Sequence, residues 1–231
     1  DFIEIFNFKK ITSKLSLSIL LKKYGFSSNE KIIYVLINFI INKNYNQNIT
    51  FKQLYNKTNK NLIITGTCIN ENKLYYFNKD NTPNMPVITA VSISICIPFV
   101  FKPINFNNKL WIDGGILNNY PINYFNKNIK NTLGITIAEE CYENCSINQI
   151  NNLKEYIINV GKCIIYGQNY INNLKYENNS IKFIHCYDSI LSFEIDKKTK
   201  QKYFKLGFEC AKKQKNKLQK FYNKKNKKKI L

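Results

Sequence analysis

Lys109-Leu110-Trp111-Ile112-Asp113-Gly114-Gly115 runs a short apolar strand into a two-glycine turn and leaves one carboxylate at the junction. In an α/β sheet, strand ends and the loops after them line the crevice where functional side chains collect. Asp-Gly-Gly on its own is a common turn sequence, so its meaning depends on what flanks it. Upstream, Leu62 to Ile69 is apolar and rich in β-branched residues, the pattern of a buried strand, and Leu74 to Phe77 after Glu71-Asn72 forms its hairpin partner. Between these and Asp113, Pro86 opens a helix running through Ala90 and Ser94 to Ile97, which Pro98 and Pro103 end.

The first 60 residues read as helical. The chain starts on the helical pattern Phe2, Ile5, Phe6, and Leu15, Ile19 and Lys22 to Tyr24 lead to Gly25 as a C-cap. A second helix is predicted from Glu30 to about Asn42, capped by Ser27 or Ser28, with Ile33, Leu36, Ile37, Ile40 and Ile41 on its apolar face. Thr50, three residues before Gln53, starts a third through a capping box.

Beyond Asp113, Asn118 to Pro121 is a loop leading into a short helix. A strand at Leu133 to Ala138, a helix from Asn148 to about Asn169, a strand at Ser180 to Cys186 and a helix from about Lys198 to Tyr222 follow. In that last helix Phe204, Phe208, Ala211, Leu218 and Tyr222 fall at helical spacing, so this face is expected to dock and the opposite one to present lysines. Strands alternating with long helices predict an α/β fold with a mostly parallel sheet covered on both faces. One domain over residues 1–222 with a frayed Lys-rich tail over 223–231 is the expected organisation.

Composition removes several classes of function. The net charge is +20, yet every basic residue is lysine, and Lys, Asn, Ile and Tyr, all with A/T-rich codons, are abundant together. Coding bias therefore accounts for many solvated lysines, and nucleic-acid readers lean on arginine for bidentate contacts, which argues against nucleic acid. The longest apolar stretch, Ile32 to Ile41, is interrupted by Tyr34 and Asn38. It is far from the roughly 18 residues of a membrane span, so the expectation is a cytoplasmic or peripheral chain with no transmembrane segment or signal peptide. Seven cysteines without framework spacing imply reduced thiols, with Cys68, Cys96 and Cys186 as small buried hydrophobes. Cys141 and Cys145 lie among Glu139, Glu140 and Glu143, but no paired motif completes a ligand set and the one histidine, His185, is distant. No metal and no cofactor are expected.

The block from Thr50 to Pro121 resembles the patatin-like phospholipase family. The resemblance is carried by Leu62-Ile63-Ile64-Thr65, Tyr76-Phe77-Asn78, Thr82-Pro83-Asn84-Met85-Pro86-Val87, Ala90 through Phe101, Trp111-Ile112-Asp113-Gly114-Gly115 and Asn118-Asn119-Tyr120-Pro121, in that order. It implies a three-layer α/β/α fold and cleavage of lipid acyl esters by a serine–aspartate dyad. In that family a serine in Gly-x-Ser-x-Gly attacks the acyl carbonyl, a glycine-rich loop holds the oxyanion, and the aspartate of Asp-Gly-Gly or Asp-Gly-Ala is the base. Asp113 carries over to the base, with Gly114, Gly115, Asn118, Asn119 and Pro121 as the supporting loop.

The departure from the family is as definite. The eight glycines, at 25, 66, 114, 115, 134, 161, 167 and 207, include no two that are four apart, so the chain holds neither Gly-x-Ser-x-Gly nor a glycine-rich loop. Ser94 and Cys96 lie in an apolar run without a glycine-flanked elbow and read as packing residues. With Asp1 first and Met85 the single methionine, a truncated domain lacking its strand-loop-nucleophile-helix portion is expected, supplying the dyad aspartate without the serine and inactive alone. The alternative is an inactive relic of the family that binds a lipid or anionic membrane surface through the basic last helix.

Overall fold

Thr50 and Gln53 close the capping box that their spacing predicts. The Gln53 amide donates to Thr50 Oγ1 at 3.3 Å and the Thr50 amide to Gln53 Oε1 at 3.0 Å. Satisfying two orphan amides in this way is worth about 1 kcal/mol and sets the helix start. The computed structural model describes residues 22–139, 150–151, 156, 159–160, 163, 175–185, 196–217 and 219. They form two compact units, one ending at Asn119 and the other beginning at Tyr120.

In the first unit the elements are β1 (Gly25–Ser27), α1 (Glu30–Asn42), α2 (Phe51–Thr58), β2 (Ile64–Cys68), β3 (Lys73–Phe77) and α3 (Val87–Ser94). These are followed by β4 (Phe99–Phe101), β5 (Ile104–Phe106), β6 (Lys109–Asp113) and the short α4 (Gly115–Asn118). Helix α1 has the predicted bounds. Asn29 is its N-cap, and Ser28 Oγ accepts from the Glu30 amide at 3.1 Å. Its apolar residues are half-buried or exposed and none is fully buried. Gly25 opens a strand instead of capping a helix, because β1 runs parallel to β4 so closely that a Cβ at Gly25 would lie 2.3 Å from the Phe101 carbonyl oxygen.

The fold is mixed α/β, as expected, but the parallel sheet is realised only in part. The largest sheet, in the order β3-β2-β6-β5, is antiparallel at every pairing. Two hairpins build it, and hairpin loops are too short for the crossover that a parallel pair needs. One loop is Ile69 to Asn72. The other is Asn107-Asn108, both with left-handed backbone (φ 51° and 58°), the signature of a type I′ turn. One face of this sheet packs on α3 through Phe51, Cys68, Phe77, Met85, Val87, Ala90, Ile93 and Trp111. Trp111 anchors β6. Its ring meets Tyr75 edge-on at 5.1 Å and Phe77 at 5.3 Å, and its indole N–H donates to the Phe106 carbonyl at 3.0 Å.

The second unit contains 3-10 turns over Pro121–Asn131, β7 (Gly134–Glu139), a 3-10 turn at Glu177–Asn179, β8 (Ser180–His185) and α5 (Lys197–Lys213). Strands β7 and β8 are parallel, in register from Gly134↔Ser180 to Glu139↔His185. Asp196 caps α5 by accepting from the Thr199 amide at 2.7 Å.

The face on which α5 docks differs from the expected one. Phe204 and Phe208 are 70% and 62% exposed. The docked stripe is Tyr203, Gly207 and Cys210 of the helix, continued by its C-cap Gln214 and by Lys217 just beyond, each partly covered. Gln214 Nε2 donates to the Lys182 carbonyl at 2.8 Å, Cys210 Sγ to the same oxygen at 3.4 Å, and Lys217 Nζ to the Ser180 carbonyl at 2.6 Å. The free edge of β8 requires donors, which the phenylalanines lack. The predicted helix from Asn148 falls largely outside the described residues, as do the opening helical pattern, Cys141, Cys145, Cys186, Leu218 and Tyr222.

Candidate active site

Asp113 is the last residue of β6, opposite Gly66 of β2. Its amide donates to the Cys96 carbonyl just past α3 at 3.0 Å, which ties the strand end to the helix end. Its carboxylate is half-buried, and Oδ1 accepts from the Gly115 amide at 2.8 Å. Burial pushes the carboxyl above the usual carboxylate range, while the Gly115 hydrogen bond pulls it part of the way back. Among the described residues the Gly115 amide is the hydrogen-bond partner found for this carboxylate, at Oδ1.

The turn after Asp113 requires glycine for space. A Cβ at Gly114 would stand 2.4 Å from Thr65 Oγ1 and 2.7 Å from the Thr65 carbonyl carbon. Gly115 is nearly as tight, with Asn119 Oδ1 3.0 Å and Asp113 Oδ1 3.3 Å from the place a Cβ would take. Gly114 N-caps α4, accepting at its carbonyl from the Leu117 and Asn118 amides at 3.2 and 3.0 Å. Asn118 is buried at the end of α4 and Asn119 is exposed. The predicted residues Asp113, Gly114, Gly115, Asn118 and Asn119 thus share one tight strand-to-helix turn. Pro121 opens the 3-10 turns of the second unit.

Sequence reasoning missed two participants. Thr65 was legible only as a strand residue, yet it is the wall against which Gly114 packs. Cys96 is the buried packing residue that its apolar run predicts, and what the sequence does not reveal is that its backbone carbonyl accepts from the Asp113 amide. Its side chain is fully buried and donates to the Lys102 carbonyl at 3.0 Å, and the thiol is pushed up to about 12, by burial first and by the charge of Asp113 second. Such a thiol stays protonated near neutrality and is a poor nucleophile. Ser94 is the half-buried last residue of α3. Among the described residues no group of three His, Cys, Asp or Glu side chains converges to hold a metal, and no helix is long and apolar enough to cross a membrane.

Two viral proteins are similar to this chain. The uncharacterized protein R571 of Acanthamoeba polyphaga mimivirus is 33% identical over 200 residues, covering 84% of this chain and 66% of R571. The probable lipid hydrolase 463L of Invertebrate iridescent virus 6 is 37% identical over 110 residues, covering 46% of this chain and 38% of that protein. The chain therefore spans just under two thirds of one relative and well under half of the other. The family profile Patatin, described as patatin-like phospholipase, matches residues 6–126. That match takes in more than half of the sequence, with Asp113 and its glycine turn inside it, and the chain belongs to the patatin-like phospholipase family.

Proposed function

We propose that Asp113 is the base of a serine–aspartate dyad that hydrolyses acyl esters of lipids. The observation that carries this reading is the Asp113 carboxylate, half-buried at a strand end and fixed through Oδ1 by Gly115. In the proposed reaction the carboxylate takes the proton of a serine hydroxyl as its oxygen bonds to the acyl carbonyl carbon. The tetrahedral intermediate collapses with loss of the alcohol, which leaves with that proton. Water then attacks the acyl-enzyme, giving its proton to Asp113, which returns it to the serine oxygen as the second tetrahedral intermediate collapses and the fatty acid leaves. No Gly-x-Ser-x-Gly lies in these 231 residues, so in this proposal the serine and the oxyanion-binding loop come from sequence outside them.

The test uses the complete coding region and a fluorogenic phospholipid. Asp113→Asn is expected to lower kcat by about 10²- to 10⁴-fold, the usual range for loss of a positioned base, with the protein still folded. Burial raises the Asp113 carboxyl, so the acid limb of the pH–rate profile should lie above the ordinary aspartate value of about 3.9. An Asp113→Asn enzyme with wild-type kcat would refute the assignment. The 231-residue chain alone should not react with a fluorophosphonate probe, and labelling at Ser94 would overturn that expectation.

A second reading, an inactive member that only binds a lipid surface, is favoured by one observation, the exposed aromatic residues of the lysine-rich helix α5. It predicts vesicle binding without turnover in the complete protein.

A further inference from the structure

Helix α5 spends its sheet-facing stripe on hydrogen bonds to β8 and leaves a pair of phenylalanines in solvent. Phe204 and Phe208 stand one turn apart, Lys212 continues the same face four positions after Phe208, and Lys215 follows just past the Gln214 C-cap. Lys205, Lys212 and Lys215 are exposed, as are both rings. Between Lys197 and Lys217 the chain has nine lysines against a single acidic residue, Glu209. Glu209 is a turn away from neither phenylalanine, but it stands four positions after Lys205 and three before Lys212 and so offsets part of their charge, leaving the segment strongly cationic. A face that offers two aromatic rings bordered by cations matches one surface above others, the headgroup layer of an anionic bilayer.

We infer that the Phe204–Phe208 face of α5 is the site through which this chain lies on anionic lipid membranes, with the rings inserted at the level of the headgroups and Lys205, Lys212 and Lys215 on the lipid phosphates. The docked stripe supports the same geometry from the opposite side. Because Cys210, Gln214 and Lys217 hold the helix to the backbone of β8, the helix presents its rings on a fixed support and has no need to fold on the membrane. The inference rests on the lipid-surface part of the proposed function and is independent of catalysis.

The experiment is co-sedimentation of the 231-residue chain with phosphatidylcholine vesicles and with vesicles containing phosphatidylglycerol, at a salt concentration of about 0.15 M. Binding to the anionic vesicles is expected to exceed binding to the neutral ones. Phe204→Ser with Phe208→Ser should weaken it by about tenfold or more through loss of apolar contact. Lys212→Glu with Lys215→Glu should weaken it by a similar factor, since each lysine near an anionic surface is worth about fivefold. All four positions are solvent-exposed, and circular dichroism checks that both variants keep their helix content. Equal binding to the two vesicle types, undiminished binding by either variant, or no binding by the wild type would overturn the inference. So would a wild-type dimer in sedimentation velocity that the phenylalanine variant dissolves, since the face would then be covered by a second copy. Asp113→Asn should bind vesicles like the wild type, which separates failure of this surface from failure of the dyad.

Discussion

Replacing Gly114 with alanine tests how tightly the Asp113 turn is built. The added Cβ would lie 2.4 Å from Thr65 Oγ1, 2.6 Å from Thr65 Cβ and 2.7 Å from the Thr65 carbonyl carbon. Ordinary contact distances are about 3.5–4.0 Å, so each of these approaches is short by about an ångström. Rotating the Thr65 side chain moves Oγ1 but neither Cβ nor the carbonyl carbon, so β2 or the turn must shift. The Gly114 backbone (φ −64°, ψ −25°) is one that alanine adopts freely, which makes the cost steric and not conformational. Overpacking of this kind costs about 1–3 kcal/mol, and for a chain of this size each kcal/mol lowers Tm by about 2–4 °C. Thermal unfolding followed by circular dichroism should therefore show a fall of about 2–12 °C. Thr65→Ala in the same chain removes the Oγ1 contact alone and should restore part of the loss, with a coupling of about 1 kcal/mol. A Gly114→Ala protein melting within about 1 °C of wild type, or with no coupling to Thr65, would refute the packing argument.

Asp113→Asn should be at least as stable as wild type at pH 7. Burial raises the folded-state carboxyl, so its contribution to stability is present below the unfolded value of about 3.9 and is lost as pH rises through the folded value. The advantage of asparagine should shrink as pH falls toward that value, and a variant that melts lower than wild type at pH 7 would contradict the sign. Iodoacetamide at about pH 8, near the ordinary thiol pKa, should alkylate the exposed Cys163 quickly in the folded chain and leave Cys96 intact until unfolding. Mass spectrometry of timed digests checks this, and equal rates at the two sites would contradict a buried, protonated thiol.

Local signals in the sequence were legible wherever a few neighbouring residues determine the outcome. Thr50 and Gln53 specify their own capping box, Pro86 starts α3, and Leu62 to Phe77 encodes a hairpin through its two strands and polar turn. The Asp113 turn was found because a strand, an acid and two glycines adjoin in sequence. What escaped depends on partners far along the chain. Asn107-Asn108 makes a type I′ turn without the glycine that usually marks one, so the β5–β6 hairpin, and with it the antiparallel sheet, went unseen. Gly25 is required by the backbone of Phe101, which nothing near residue 25 reveals. For α5, hydrophobicity favoured the phenylalanines as the docked face, but the neighbouring edge of β8 offers carbonyl oxygens, and Gln214 and Lys217 can satisfy them while phenylalanine cannot.

That donor stripe also gives the second unit's sheet a direction of growth. The Ser180 and Lys182 carbonyls of β8 are already occupied by Cys210 of α5, its C-cap Gln214 and Lys217 just beyond, so no further strand can add there without displacing them. Among the described residues β7 pairs with β8 alone. Any strand that joins this sheet, whether from a longer form of the chain or from another molecule, must therefore approach the β7 side, where Ile135 and Ile137 are exposed. The helix acts as a stop at one end of the ladder, and extension is one-sided by construction.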